Sequence, residues 1–428
     1  MNVMDIKGPE DLKKMDRSEF PALAQEMRRM LIEKLHAHGG HAGPNFGFVE
    51  ATIALHTVFN SPVDKFVFDV SHQTYPHKML TGRMEAFADP AHYDDVSGYS
   101  EPGESPHDHF IIGHTSTSIS LAAGLAKARD LRNEKFNVIA VIGDGSLSGG
   151  EAFEGLDNVA EQGTNMIIVF NDNQMSIAEN HGGLYRSLAE LRRTNGTSPC
   201  NYFKALSLDY RYVAEGNNVE KLIAAFEEVK DIDHPVVVHV NTIKGFGYAP
   251  AVADKEAWHW TTPGFDIATG KREGGEWLGT RVADHLLKKM KEMPELVVIN
   301  AAVPSMCGFD RTRRALAGKQ FVDVGLCEPH ACAFASGIAK GGGRPVWSVI
   351  STFIQRTYDQ LSQDLCINSN PAAWSANLGR QYAKLKEFIT GELAMMEVLL
   401  PHLDAQQAQA AKAAAAHQSL LNTVSSAT

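Results

Sequence analysis

The clearest pattern of apolar and polar positions runs from Phe136 to Asn173. It opens with an apolar, β-branched run at Val138, Ile139, Val141 and Ile142 and breaks at Gly143-Asp144-Gly145. It continues at helical spacing through Phe153, Leu156, Val159 and Ala160, then returns to an apolar run over Met166–Phe170. Uninterrupted apolar runs flanking a helical period predict a β-α-β unit with parallel strands buried on both faces. Upstream, Ser18 is placed to cap a helix with Phe20, Leu23, Met27, Leu31 and Leu35 on one face. A second helix is predicted over Val49–Phe59, a strand over Lys65–Val70, a helix from about Ser116 to Leu131, and another buried strand over Val236–Val240. A second unit of the same kind begins near Leu296, with strands at Phe321–Gly325 and Pro345–Val349 and helices at Pro329–Ala339 and Phe353–Cys366.

The expected fold class is therefore α/β, with parallel sheets flanked by helices. The expected division is a first domain over 1–267, a linker over 268–295 whose Gly, Lys and Glu content peaks at 268–277, a partial second domain over 296–371, and a helical C-terminal tail over 372–428 that is rich in alanine.

A chain of 428 residues, 44% of them hydrophobic, can form two or three domains with sizeable cores. The formal net charge of −11 argues against nucleic acid as a partner. The N-terminal stretch has no signal-type apolar core, and no run approaches the roughly 18 apolar residues of a membrane span. No membrane association and a cytoplasmic location are expected. Five cysteines without a C-x-x-C pair suggest reduced thiols rather than disulfides or a zinc site.

The chemistry follows from the crossover. A right-handed β-α-β unit brings the ends of its two strands to one carboxyl edge, so Asp144 and Asn173, 29 positions later, share that edge. Their side-chain oxygens and the carbonyl of Met175 make a hard donor set for Mg²⁺, leaving about three octahedral positions for phosphate oxygens or water. A dinucleotide fingerprint is the competing reading, but the glycine spacing is wrong and a carboxylate stands where a pyrophosphate needs bare amides. Other candidates are scattered along the chain. His41 follows a glycine pair, and His72 lies at the carboxyl end of the 65–70 strand. Gly113-His114-Thr115 opens a helix whose free N-terminal amides suit an anion or a polar ring edge. His107 and His109 lack a third ligand nearby and read as part of a solvent-exposed loop over 84–110, with His77 as a loop support. Arg186, Arg192 and Arg193 lie on a short amphipathic helix, either solvated or meeting a substrate phosphate. Glu328 starts a helix, where the macrodipole alone favours a carboxylate.

Gly-Asp-Gly followed after the next strand by Asn-Asp-Asn resembles the thiamine diphosphate signature of the transketolase group. Val49–Arg83, Gly113–Leu131, NDNQMSIAEN at 171–180, KGFGY at 244–248 and WHWTTPGFDIATG at 258–270 are similar to the 1-deoxy-D-xylulose-5-phosphate synthase family, over about residues 20 to 370. The resemblance implies a thiamine diphosphate-binding fold and a homodimer. It implies that pyruvate and glyceraldehyde 3-phosphate are joined with loss of CO₂, giving a precursor of isoprenoids and thiamine. It also implies that Asp144, Asn173 and Met175 hold Mg²⁺, while His72, Gly113, His114, Thr115, Gly145, Ser146, Asn173, Tyr248 and Glu328 bind the cofactor. Glu328, His41 and His259 are the implied catalytic residues, with Lys244 facing the same site. Thr115 stands where serine is usual, Pro329 where glutamine is usual and Ile350 where tyrosine is usual. After Pro371 the family pattern, with a further strand, an Asp-Arg-x-Gly loop and a third domain, is not followed. The tail either caps a shortened sheet or is an extension outside the pattern. A cofactor-binding protein without activity, a subunit of a split enzyme and a structural or regulatory partner of a full-length synthase remain alternatives at this point.

Overall fold

The first domain is built around seven strands, β1 (Gly40–His41), β2 (Lys65–Phe68), β3 (Val138–Gly143), β4 (Met166–Asp172), β5 (Asp209–Val213), β6 (Pro235–Asn241) and β7 (Trp260–Thr261). They come from a computed structural model that describes residues 3–272, 275 and 277–377. Five of them form one parallel sheet in the order β2-β3-β4-β6-β5. The alternation of side chains along a strand divides its apolar residues between two faces. Ile139, Val141, Ile167, Val169, Val236 and Val238 meet the helices Phe20–His38, Val49–Val58 and Val219–Val229 through Met27, Leu31, Ile53 and Phe226. Val138, Ala140, Ile142, Ile168 and Phe170 meet the helices Ser118–Leu131 and Gly150–Gln162 through Ala122, Ala126, Leu156 and Val159. Full burial of a Val, Leu, Ile, Phe or Met side chain contributes about 1.5–3 kcal/mol, and β3 and β4 accordingly carry no polar residue before their carboxyl ends. β1 and β7 form a separate antiparallel ribbon that pairs His41 with Trp260.

The second domain holds β8 (Leu296–Asn300), β9 (Phe321–Asp323), β10 (Arg344–Ile350) and β11 (Ala373–Asn377), in the order β11-β10-β8-β9. β10 and β9 run parallel to β8. Ile299, Trp347 and Val349 pack on one face against Ala331, Cys332 and Ala335 of the helix Glu328–Lys340. Leu296 and Val298 pack on the other against Ala283 and Met290 of the helix Leu278–Glu292.

Three boundaries differ from those expected. The helix Leu278–Glu292 lies within the stretch read as linker, yet its apolar stripe is half of the second core. β11 occupies the start of the stretch read as helical, where Ala-Ala-Trp-Ser-Ala-Asn carries no strand-like alternation. The predicted helix Phe353–Cys366 is irregular: it is a 3-10 helix over Ser351–Thr357, and its turns widen over Leu361–Ile367. The alanine-rich tail over 378–428, with its expected helix, lies outside the described residues.

Gly149 precedes the Gly150–Gln162 helix at a close approach to the 116 turn. A Cβ there would lie 2.1 Å from Ser116 Oγ, and Ser116 is fixed by donating its Oγ–H to Ser146 O and its N–H to Asp69 Oδ1. A Cβ at Gly150 meets nothing within 4 Å. Gly149→Ala is expected to lose about 1–3 kcal/mol in denaturant unfolding through overpacking. Gly150→Ala should be neutral or gain up to about 1 kcal/mol by restricting the unfolded chain.

Candidate functional site

The parallel register opposes Gly143 to Asn171 and Asp172 to Asn241, so β3, β4 and β6 end together. Asp144 follows β3 and is 1% exposed. Its Oδ2 accepts hydrogen bonds from Met175 N at 2.9 Å and Asn180 Nδ2 at 2.6 Å. Burial, reinforced by the charge of Asp172, pushes the Asp144 carboxyl up to about 7. Asn173 lies two residues from the amide that Asp144 holds, and its Oδ1 is buried without a hydrogen-bond partner among the described residues. An unpaired amide oxygen beside a buried carboxylate fits a hard cation. Among the described residues no three His, Cys, Asp or Glu side chains cluster as a metal site, so a cation here would draw its other ligands from carbonyl and ligand oxygens. A Cβ at Gly145 would lie 2.5 Å from Ser176 Oγ, which requires glycine where this turn meets the 176 loop. Ser146 beside it is buried.

The turn before the Ser118–Leu131 helix is less open than its sequence suggests. Asp69, one residue beyond β2 on the same edge, accepts from Ser116 N at 2.8 Å and Ser118 N at 3.0 Å. The amides expected to be free for an anion are thus partly taken by a carboxylate of the chain itself. His114 Nε2 lies 2.6 Å from Gln355 Nε2, and Arg356 donates to Thr115 Oγ1 at 2.8 Å and Thr115 O at 2.6 Å. A Cβ at Gly113 would meet nothing within 4 Å.

Glu328 opens its helix at 3% exposure. Its Oε2 has no hydrogen-bond partner among the described residues, and the Arg356 guanidinium is 3.6 Å away. Burial pushes this carboxyl up, with Arg356 opposing. The preceding loop docks on the Gly143–Gly149 turn of the same chain. Cys327 Sγ donates to Ser148 O at 3.0 Å, and a Cβ on Gly325 (φ 77°) would lie 3.3 Å from Ser148 Oγ.

The β1–β7 ribbon gathers three histidines. Ring centroids are 5.0 Å apart for His41 and His72, 5.6 Å for His41 and His259, and 5.3 Å for His72 and His259. Asn45 Nδ2 ties two of the backbones together, donating to His41 O and His72 O at 2.8 Å. Burial first, and the Lys244 charge after it, pushes His41 down to about 4. His72 and His259 lie well below their usual value, again chiefly through burial. Lys244 donates to the carbonyls of Ser176 and Ile177, and burial lowers its ammonium to about 7. The three imidazoles are therefore neutral at neutral pH, able to donate, accept or carry a proton.

Tyr248 is not brought to this group. Its ring packs against Phe46, Trp258 and Phe265, and its hydroxyl donates to Ile267 O at 2.9 Å. Neither reading of Arg192 holds, because it pairs with the buried Asp172. Arg193 pairs with Glu190 at the surface. The 84–110 loop is anchored rather than loose: Asp108 is 4% exposed and is held by His77 and Arg83, while Ser61 Oγ meets His107 Nδ1 at 2.8 Å.

The histidine cluster has a pH signature. Because folding lowers these three values below 6.5, the folded state binds fewer protons than the unfolded chain in that range. Their contribution to stability is complete above about 6.5 and is lost as pH falls below it, for His41 through about 4. His41→Asn is expected to reduce the protons taken up on unfolding by up to one. Denaturant titrations from pH 7 to 4 should show a shallower loss of stability than in the wild type.

Residues 3–198 and 194–242 match the profile of the family described as 1-deoxy-D-xylulose-5-phosphate synthase, and residues 279–376 match the transketolase pyrimidine binding domain. The synthase of Symbiobacterium thermophilum is 40% identical over 418 residues, covering 89% of this chain and 64% of the relative. Synthase 1 of Geobacter sulfurreducens is 40% identical over 415 residues, covering 87% and 65%. The chain thus spans slightly less than two thirds of the length of these relatives. Transketolase from Campylobacter jejuni superposes with a TM-score of 0.48 at 16% identity, covering 81% of this chain and 67% of the other. With the synthase profile spanning more than half of the sequence and the pyrimidine-binding profile coinciding with the second sheet and its helices, the chain belongs to the 1-deoxy-D-xylulose-5-phosphate synthase family.

Proposed function

We propose that the chain binds thiamine diphosphate with Mg²⁺ and uses it on pyruvate and glyceraldehyde 3-phosphate, as a transferase forming 1-deoxy-D-xylulose 5-phosphate and CO₂. The observation that carries this reading is that two buried oxygens without a hydrogen-bond partner among the described residues, Asn173 Oδ1 and Glu328 Oε2, belong to two segments that both pack on the Gly143–Gly149 turn. One oxygen suits a cation and the other a protonated ring nitrogen.

In this reading Asp144, Asn173 and the Met175 carbonyl would hold the metal, and Gly145 and Ser146 would lie along the diphosphate. Gly113, His114 and Thr115, together with His72, would bound the ring system. Glu328 would meet the aminopyrimidine. When bound, thiamine diphosphate supplies a carbanion equivalent and an electron sink for decarboxylating a 2-keto acid. His41 and His259 then orient substrate oxygens and move protons, a task suited to neutral imidazoles held by a common scaffold. Lys244 adds a donor whose charge is easily withdrawn. Tyr248 contributes through packing, since its hydroxyl is already engaged. A homodimer and a cytoplasmic location belong to the same reading, the former to be checked by light scattering.

Glu328 is the group most open to test. Glu328→Gln keeps the shape and a hydrogen-bonding end but removes the charge. Cofactor affinity is expected to stay within a few-fold of wild type, while exchange of the C2 proton of bound cofactor falls by about 10²-fold or more. NMR-detected exchange at equal rates in both proteins would show that Glu328 serves only to start a helix.

A further inference from the structure

Asp172 lies between the two asparagines of the 171–173 run, is fully buried, and has no part in the function proposed above. Its Oδ2 accepts from the guanidinium of Arg192 and from His239 Nε2 at 2.9 Å. His239, itself fully buried in β6, meets the Tyr210 hydroxyl of β5 through Nδ1 at 2.7 Å. The other oxygen, Oδ1, accepts from Gln174 N at 3.2 Å, and the Asp172 carbonyl accepts from Thr242 N at 3.0 Å.

Gln174 is the residue this arrangement constrains. Its φ of 62° is left-handed, a conformation that a non-glycine residue keeps only when its surroundings hold it. Asn173, with its unpaired Oδ1, precedes it, and Met175, whose amide is bonded to Asp144, follows it. The turn that presents both groups is therefore held at Met175 by Asp144 and at Gln174 by Asp172. Asp172 is in turn fixed by a cation from the 184–193 helix and an imidazole from β6.

We propose that Arg192 and His239, acting through Asp172, are positioning residues that hold the 173–175 turn in its metal-binding conformation. The inference rests on the cofactor reading above. Groups behind a metal's direct ligands commonly set affinity by 10- to 100-fold when removed. Arg192 has the sharper test, because Arg193 is its neighbour on the same helix and, among the described residues, pairs with exposed Glu190 alone.

The test is a calorimetric Mg²⁺ titration at saturating thiamine diphosphate, with hydrogen exchange of the 172–177 segment measured separately on metal-free protein. Arg192→Ala is expected to raise the half-saturating Mg²⁺ about tenfold or more and to speed exchange at Gln174. Arg193→Ala should stay within twofold of wild type, and Arg192→Lys should recover part of the loss. If Arg192→Ala does not fold, Arg192→Gln takes its place with the same outcomes. Affinity within twofold of wild type and unchanged exchange would overturn the proposal. A wild type that takes up no cofactor would instead refute the function proposed above. Exchange on metal-free protein would then still decide whether Arg192 fixes the turn.

Discussion

A carboxylate buried at the end of β3 is the constraint around which the first domain is arranged. Taking an anion out of water is unfavourable unless it is paired or neutralised. Asp144 has two N–H donors and a second acid, Asp172, in its field. The two acids are treated differently. Asp172 is compensated by Arg192 and His239 and stays below the usual carboxylate range despite its burial. Asp144 has no ion pair among the described residues, only the field of Lys244, and rises to about 7. A divalent ion would relieve that imbalance, and the parallel register of β3 and β4 brings both strand ends to one edge, with Asn173 just beyond β4.

The second domain matters to this site through polar contacts rather than through a common core. Arg314 reaches Glu256, which lies three residues before His259, and also Glu179, in the loop beyond Asn173. Burial alone would raise the Glu256 carboxyl, but Arg314 and Ser305 hold it below its ordinary value. Arg356 joins Thr115 of one domain to Glu328 of the other. The position of Glu328 relative to the sheet edge therefore depends on Arg356, through its charge-assisted hydrogen bonds to Thr115, which are directional and stronger than neutral ones, and its ion pair with Glu328. Apolar burial fixes each sheet, and a small number of charged groups fixes one sheet against the other.

Local pattern carried much of this into the sequence. The β3-helix-β4 unit was legible because buried strands need continuous apolar runs and the helix between them shows a 3.6-residue period. Asp144 and Asn173 followed from topology. Features set by distant partners were not legible. Asp69 fills amides 47 and 49 positions away, and nothing near it in sequence marks that role. Arg192 sits on an amphipathic helix where arginine is ordinarily solvated, and only the fold brings it to Asp172. Tyr248 lies in a motif that points to the cofactor, but an aromatic cluster holds its ring and a carbonyl holds its hydroxyl. The helix Leu278–Glu292 was masked by the polar, glycine-bearing stretch before it. β11 was masked by the alanine content around it.

The central claim is that the Asp144 edge is a cation-dependent diphosphate site. Titration calorimetry of thiamine diphosphate into wild-type protein and Asp144→Ala, each with Mg²⁺ and with excess chelator, tests it most directly. The account predicts binding by wild type with Mg²⁺, and loss of the metal-dependent part both in chelator and in the variant. Equal affinity with and without Mg²⁺, or an Asp144→Ala protein that binds as wild type does, would contradict it.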